Sequence, residues 1–189
     1  MVLAVSRDRA LSLAEFLALP ETQPASEYIN GQVHQKPMPQ GQHSYLQSEL
    51  TAVLNSVLRK ARIARAGAEL RCTFGGRVLV PDIVVVKWDR IPRQSDGRVA
   101  NSFDFAPDWI VEIASPQQPL IRLIEKMQFC LDQGTEMAWL IDPEDLSVLV
   151  YQAGRSPRAF VDLGDRLPVP DFAQGVALMI EDLQSFLLD

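Results

Sequence analysis

Two carboxylates stand inside runs that otherwise belong in an apolar core: Asp82 in LVPDIVVVKW and Glu112 in DWIVEIASP. Side chains alternate along a strand. Asp82 therefore shares a face with Val80, Val84 and Val86, and Glu112 shares one with Ile110 and Ala114. A carboxylate among such neighbours costs several kcal/mol unless it is paired, hydrogen-bonded or bound to a metal. Paired strands lie about 4.8 Å apart, so two such strands in register let both carboxylates converge on one cation. Oxygen ligation by few protein groups suits Mg²⁺ or Mn²⁺ better than zinc. Two simpler readings stay open. Asp82 after Pro81 can mark a turn, and Glu112 can pair with an arginine.

The helix that follows these strands adds Lys126 as a candidate. Leu120, Leu123, Ile124, Met127 and Leu131 form the apolar stripe of a helix expected over 118–133. Lys126 falls about 40° around that helix from Cys130, at the edge of the stripe. Its stem can lie on apolar surface while the ammonium extends past the rim, toward the two acids and a water held by their cation. A surface lysine is the alternative. Glu49 sits at the edge of another helix's apolar face, as a further carboxylate for the site or a plain surface acid.

The elements that must position these residues follow from periodicity and turn chemistry. Ser12 and Glu15 fit a capping box for a first helix, SLAEFLAL. Asn30-Gly31 suits a type I′ turn, so EYINGQVH reads as a hairpin. Leu46, Leu50, Val53, Leu54, Val57, Leu58 and Ala61 mark one face of a helix over 44–64, with Ser44 and Gln47 as its capping box. ELRCTFGG and RVLVPDIVVVKW read as strands around Gly75-Gly76. A turn-rich loop covers 89–107. DWIVEIAS, MAWLIDP, SVLVYQA and VALMI read as strands, and EDLQSFLL as a last helix. Long helices mixed with strands give an α/β or α+β fold around a mixed sheet, with strands 83–86 and 109–113 at its centre.

Composition narrows the classes of function. The 189 residues suit one domain over 1–189, and a net charge of −6 argues against coating nucleic acid by bulk electrostatics. Arg59, Lys60, Arg62, Arg65 and Arg71 crowd one stretch, as the solvated face of a helix or as a phosphate-contacting patch. No apolar run approaches the roughly 20 residues of a membrane span. The start lacks a signal-peptide pattern, so a cytoplasmic location is the default expectation. Cys72 and Cys130 lie in no CxxC and are expected to be reduced and packed as small apolar residues.

The succession EYINGQV, HS, VPDIVVV, DWIVEIASP, a helical lysine, AWLIDP and VLVY resembles a large bacterial family of restriction-endonuclease-like proteins. These are similar to the PD-(D/E)xK nuclease superfamily. The likeness runs from about Leu11 to Asp189, and the order and spacing of the motifs are more specific than any one of them. It implies a restriction-endonuclease-like mixed β-sheet flanked by helices. Asp82 and Glu112 would hold Mg²⁺ or Mn²⁺ with the backbone carbonyl of Ile113, and Lys126 would orient or deprotonate the attacking water. Glu27 and His43 also match the family pattern. His43 would touch the phosphate or metal, or would cap the helix. One departure stands out: the plain pattern puts the lysine two residues after the acid, where this chain has Ala114, so Lys126 would be a migrated lysine. The implied activity is metal-dependent DNA endonuclease hydrolysis of phosphodiester bonds. The alternatives are hydrolysis of RNA or another phosphoester, and a catalytically inactive nuclease-like scaffold that binds DNA or a protein partner. A homodimer suits a two-stranded target by analogy.

Overall fold

The computed structural model describes residues 10–116 and 118–188. In chain order its elements are α1 (Leu13–Leu17), β1 (Ser26–Ile29), β2 (Gln32–Gln35), α2 (Gly41–Leu58), β3 (Ala64–Ala68), β4 (Cys72–Phe74), β5 (Arg77–Leu79) and β6 (Ile83–Lys87). They continue with β7 (Trp109–Ile113), α3 (Leu120–Asp132), β8 (Met137–Asp142), β9 (Ser147–Gln152), β10 (Arg158–Phe160) and α4 (Ile180–Ser185). The strands form a four-stranded sheet, β2-β1-β5-β4, and a six-stranded sheet, β10-β9-β8-β7-β6-β3. Within the larger sheet β7 and β8 run parallel, joined through α3, while β6 and β7 are antiparallel. This is the α+β architecture of a mixed sheet with helices that the sequence implies.

Strong local signals form as read. Ser12 and Glu15 make both bonds of the capping box on α1. Asn30 and Gly31 take φ of 52° and 84° between β1 and β2, as a type I′ turn requires. Alternation then sorts the large sheet into two faces. Ile83, Val85, Trp109, Val111 and Ile113 pack on Leu46, Leu50, Leu54 and Leu58 of α2 and on Ile180 and Leu183 of α4. Each of those four α2 leucines is fully buried, worth roughly 1.5–3 kcal/mol apiece. Val84, Val86 and Ile110 face the other way, onto Met127 and Cys130 of α3 and onto Cys72, Phe74 and Leu79 of the small sheet. The loop over 89–107 closes this second core with Ile91, Phe103 and Ala106. Arg90 fastens it by binding Asp108 Oδ1 at 2.5 Å and the Ala106 carbonyl at 3.1 Å.

Four expectations are corrected. First, α2 begins before Ser44 and ends at Leu58, so no Ser44–Gln47 box forms. Second, the residues after it turn at Arg62, with φ of 53°, and enter β3, which pairs with β6 along its whole length. ARIARAGA carries good helix formers, but ladder pairing and burial of Ala64 and Ala66 override that preference. The arginines at 59–71 are consequently split between a helix end, a turn, a strand and a loop. Third, VALMI is no strand; Val176 and Leu178 are buried, but only one isolated bridge, Met179 to Arg166, forms there among the described residues. Fourth, the helix expected from 118 starts at Leu120, and Leu120 is half exposed while Lys126 joins the buried face. The outer edge of β3 is closed by the Asn55 carboxamide, which donates to the Ala66 carbonyl and accepts from its N–H. This blocks pairing with another strand.

Cys72 and Cys130 are free and fully buried. Burial pushes the Cys72 thiol up to about 12 and the Cys130 thiol higher still, so neither forms thiolate near neutrality. A thiol-titrating disulfide reagent at pH 8 is expected to leave both unmodified in the native protein and to react with both in guanidinium chloride. Rapid native labelling at either position would contradict this packing.

Candidate active site

RVLVPDIVVVKW, expected as one strand, is two: between β5 and β6 the chain leaves the small sheet and enters the large one, and Asp82 lies in the crossing, just before β6. Backbone groups in that crossing have no ladder and need other partners. The Val80 N–H donates to Glu27 Oε1 at 2.8 Å, and its carbonyl accepts from Lys36 Nζ at 2.9 Å. Pro81 brings no N–H that would need satisfying. The Asp82 carbonyl accepts from Gln47 Nε2 at 2.8 Å and from the Glu69 N–H at 3.1 Å. The crossing is thus held entirely by side chains and backbone outside the two sheets' own ladders.

The ladder sets the acids. Ile83 pairs with Val111 and Val84 with Ile110, so one further step places Asp82 opposite Glu112. Both carboxylates are 1% exposed. Asp82 Oδ2 accepts from the Ile113 N–H at 2.8 Å and lies 3.1 Å from His43 Nε2, while Oδ1 meets Lys36 Nζ at 2.5 Å. Lys126 Nζ stands between two acids, 2.5 Å from Glu27 Oε1 and 2.5 Å from Glu112 Oε1. Strand alternation, helix period and hairpin thereby deliver Asp82, Glu112, Lys126, Glu27 and His43 to one buried cluster. Lys126 lies in its centre rather than on the rim.

Two open alternatives are decided and one member is added. His43 is in the first turn of α2 and bonds Asp82 instead of capping the helix; the N-cap residue is Gln40, and no side chain caps it. Glu49 is exposed and stays outside the cluster. Lys36 is a member that the sequence reading did not single out. Its signal was present: with Glu27 opposite His34 in the hairpin, residue 36 falls on the same face as both. Ala114 is buried against Leu123 and Leu140, and its place beside Glu112 is filled from α3 by Lys126.

The two central carboxyls titrate in opposite directions. Burial works against ionisation of Asp82, but the His43 bond and the Lys36 ammonium outweigh it and hold the carboxyl well below its usual range. Glu112 has fewer partners. Burial, reinforced by the Asp82 charge and opposed by Lys126, pushes it up to about 7. Burial lowers the Lys126 pKa, yet the Glu112 and Glu27 charges beside it raise it further, so it stays an ammonium. Glu112 Oε1 meets that ammonium at 2.5 Å, and among the described residues no well-aligned hydrogen bond accompanies the ion pair.

This donor set fits a hard divalent cation. The Asp82 and Glu112 carboxylates offer oxygens, and an extended residue directs its C=O to the same side as its N–H, so the Ile113 carbonyl points toward Asp82. Glu112 Oε1 is occupied by the Lys126 ammonium at 2.5 Å, so a cation would take it only as that ammonium moves aside. No set of three His, Cys, Asp or Glu side chains gathers as a metal cage among the described residues, which leaves a backbone carbonyl and water to complete the shell. Lys126→Met removes the ammonium that two buried acids share. It is expected to cost about 3–5 kcal/mol of stability, read from urea unfolding, with part of the loss recovered in Lys126→Met/Glu112→Gln. An unchanged midpoint would show that the ammonium is not the partner these acids need.

The chain is similar to known proteins over nearly its whole length. A crystal structure titled as that of a "putative nuclease belonging to DUF820" from Anabaena variabilis is 52% identical, with a TM-score of 0.92, covering 94% of this chain and 99% of that one. No curated protein matches the chain. The family model Uma2, described as "Putative restriction endonuclease", matches residues 13–181, which span every element from α1 into α4. With that match over nearly its whole length, the chain belongs to the Uma2 family.

Proposed function

We propose that this chain is a metal-dependent nuclease, one domain that hydrolyses phosphodiester bonds in DNA. The observation that carries the reading is the meeting of Asp82 and Glu112 across paired strands, with Lys126 beside Glu112 Oε1. Family membership and the nuclease title of the similar crystal structure support it. Asp82, Glu112 and the Ile113 carbonyl would hold Mg²⁺ or Mn²⁺. A cation bound there supplies charge neutralisation at the phosphate and makes water more acidic.

The chain's own residues do the rest. His43, Lys36 and the Ile113 N–H keep Asp82 ionised and fixed. Lys126 holds a positive charge at the place where negative charge grows on the attacked phosphate. Glu27 keeps that ammonium in position while anchoring Val80. Residues on β1, α2, β7 and α3, and Lys36 just past β2, are preorganised in this way, so the electrostatic work is done before substrate arrives.

A nuclease-like scaffold that binds DNA or a protein without cutting is the second reading. The near-complete burial of both carboxylates favours it. One experiment separates the two. Purified protein is incubated with single-stranded, duplex and branched DNA and with RNA, in Mg²⁺, in Mn²⁺ and in EDTA. Cleavage is expected with metal and not with EDTA, and Asp82→Asn and Glu112→Gln are expected to fall at least about 100-fold, with folding checked by circular dichroism. No product on any substrate overturns the nuclease reading and leaves the scaffold.

A further inference from the structure

A cleft of about 490 Å³ opens onto the cluster between the β1–β2 hairpin and α3. Glu27, Lys36 and Lys126 form part of its lining. The two lysines are already committed to Glu27, Asp82 and Glu112. They cannot also anchor a long anionic ligand without giving up buried partners. Two further cations line the cleft, Arg77 and Arg122. Neither is ion-paired with a carboxylate among the described residues. The other acid at this rim, Glu125, is exposed and lies on α3 three residues from Arg122.

Arg77 is held in place. Its guanidinium stacks on the Phe129 ring at 3.9 Å, and Phe129 stacks on Phe74 at 5.5 Å. The turn at Gly75-Gly76 brings the strands of this hairpin down onto α3. Both glycines have positive φ, and a Cβ on Gly75 would meet Phe129 at 2.7 Å and Gln133 Oε1 at 2.6 Å. Glycine at φ of 55° allows that approach without displacing the two side chains, and Arg77 lies over Phe129 two residues on. A guanidinium stacked by its face keeps its N–H fork free at the edge, in the geometry that binds phosphate oxygens bidentately.

We propose that Arg77 and Arg122 form a phosphate-binding subsite on the wall of this cleft, and that it takes the backbone of a nucleic-acid strand whose next phosphate reaches the cluster. This deepens the nuclease reading and rests on it for the position of the attacked bond. With a net charge of −6, the protein gains little from bulk attraction, so local phosphate contacts must supply the affinity. The basic stretch over 59–71 does not supply them: its charges are spread over four kinds of element, and Arg71 pairs with Glu21 at 3.2 Å.

The test is equilibrium binding in EDTA, where no turnover occurs. A fluorescein-labelled single strand and the same sequence as duplex are titrated by anisotropy over a range of salt. Arg77→Ala and Arg122→Ala are each expected to weaken binding several-fold and to lower the slope of log K against log salt by roughly 0.7 for the single strand or 0.9 for duplex. Arg59→Ala and Lys60→Ala are expected to leave both unchanged. Arg77→Lys, which keeps the charge and loses the fork, is expected to fall between wild type and Arg77→Ala. Which oligonucleotide shows the loss identifies the form of strand. Equal affinity and slope in the Arg77→Ala/Arg122→Ala protein, or no wild-type binding to either oligonucleotide, overturns the subsite. Cleavage with arginine-independent binding would remove this inference and keep the nuclease. Arginine-dependent binding without cleavage would do the reverse.

Discussion

A single chain crossing governs the polar architecture. Between Leu79 and Ile83 the backbone passes from one sheet to the other, and Val80 is left with an N–H and a carbonyl that neither ladder pairs. Charged side chains make those bonds, Glu27 to the N–H and Lys36 to the carbonyl. Bringing them in creates a second demand, because a buried charge needs a counter-charge. Lys126 answers Glu27, and Asp82 answers Lys36. Glu112 then shares Lys126. The structural need at the crossing and the candidate site are therefore one set of interactions.

The two carboxyls at its centre differ because their environments do. Asp82 has a backbone N–H, an imidazole and an ammonium around two oxygens. Glu112 has one shared ammonium and an oxygen without a directed bond. Environments that drive paired carboxyls apart are the usual way a site assigns them different tasks. Here the divergence comes from position in the ladder. Asp82 lies one step past the end of β6, where the Ile113 N–H is free to reach its side chain, whereas Glu112 lies inside β7 with its backbone in the pairing with β8.

Much of the site was legible in sequence because it follows from short-range rules. Alternation set each of Asp82 and Glu112 on the side of its apolar neighbours, the register of β6 and β7 brought them opposite each other, and helical period put Lys126 at the edge of the apolar stripe of α3. The Asn30-Gly31 turn fixed a hairpin register that also carries Lys36 to the site, an implication that needs two strands considered together. What was not legible depends on partners distant in sequence. Residues 59–68 have helix-forming composition, and only the free edge of β6 makes the second half a strand. His43 resembled a cap until Asp82 came within its reach. Glu49 lies near an apolar stripe, yet the stripe that matters is set by Leu46, Leu50 and Leu54, and Glu49 points to solvent.

The position of Lys126 on α3 has a consequence for access. A lysine at position 114 would belong to the same strand as Glu112 and move with it. Lys126 comes from α3, and its ammonium binds Glu112 of the large sheet and Glu27 of the small one at once. It therefore ties α3 and the β1–β2 hairpin together where the cleft between them meets the cluster. Asp82 and Glu112 are each 1% exposed, so a phosphate can reach them only if an ammonium shifts off a carboxylate. On the proposed nuclease reading the ammonium would exchange an acid partner for an anionic one, and a cation held by the carboxylates would compensate the charge it leaves, so that substrate and metal would each lower the cost of admitting the other. The ion pairs that hold the crossing between sheets would also keep the site closed to either one alone.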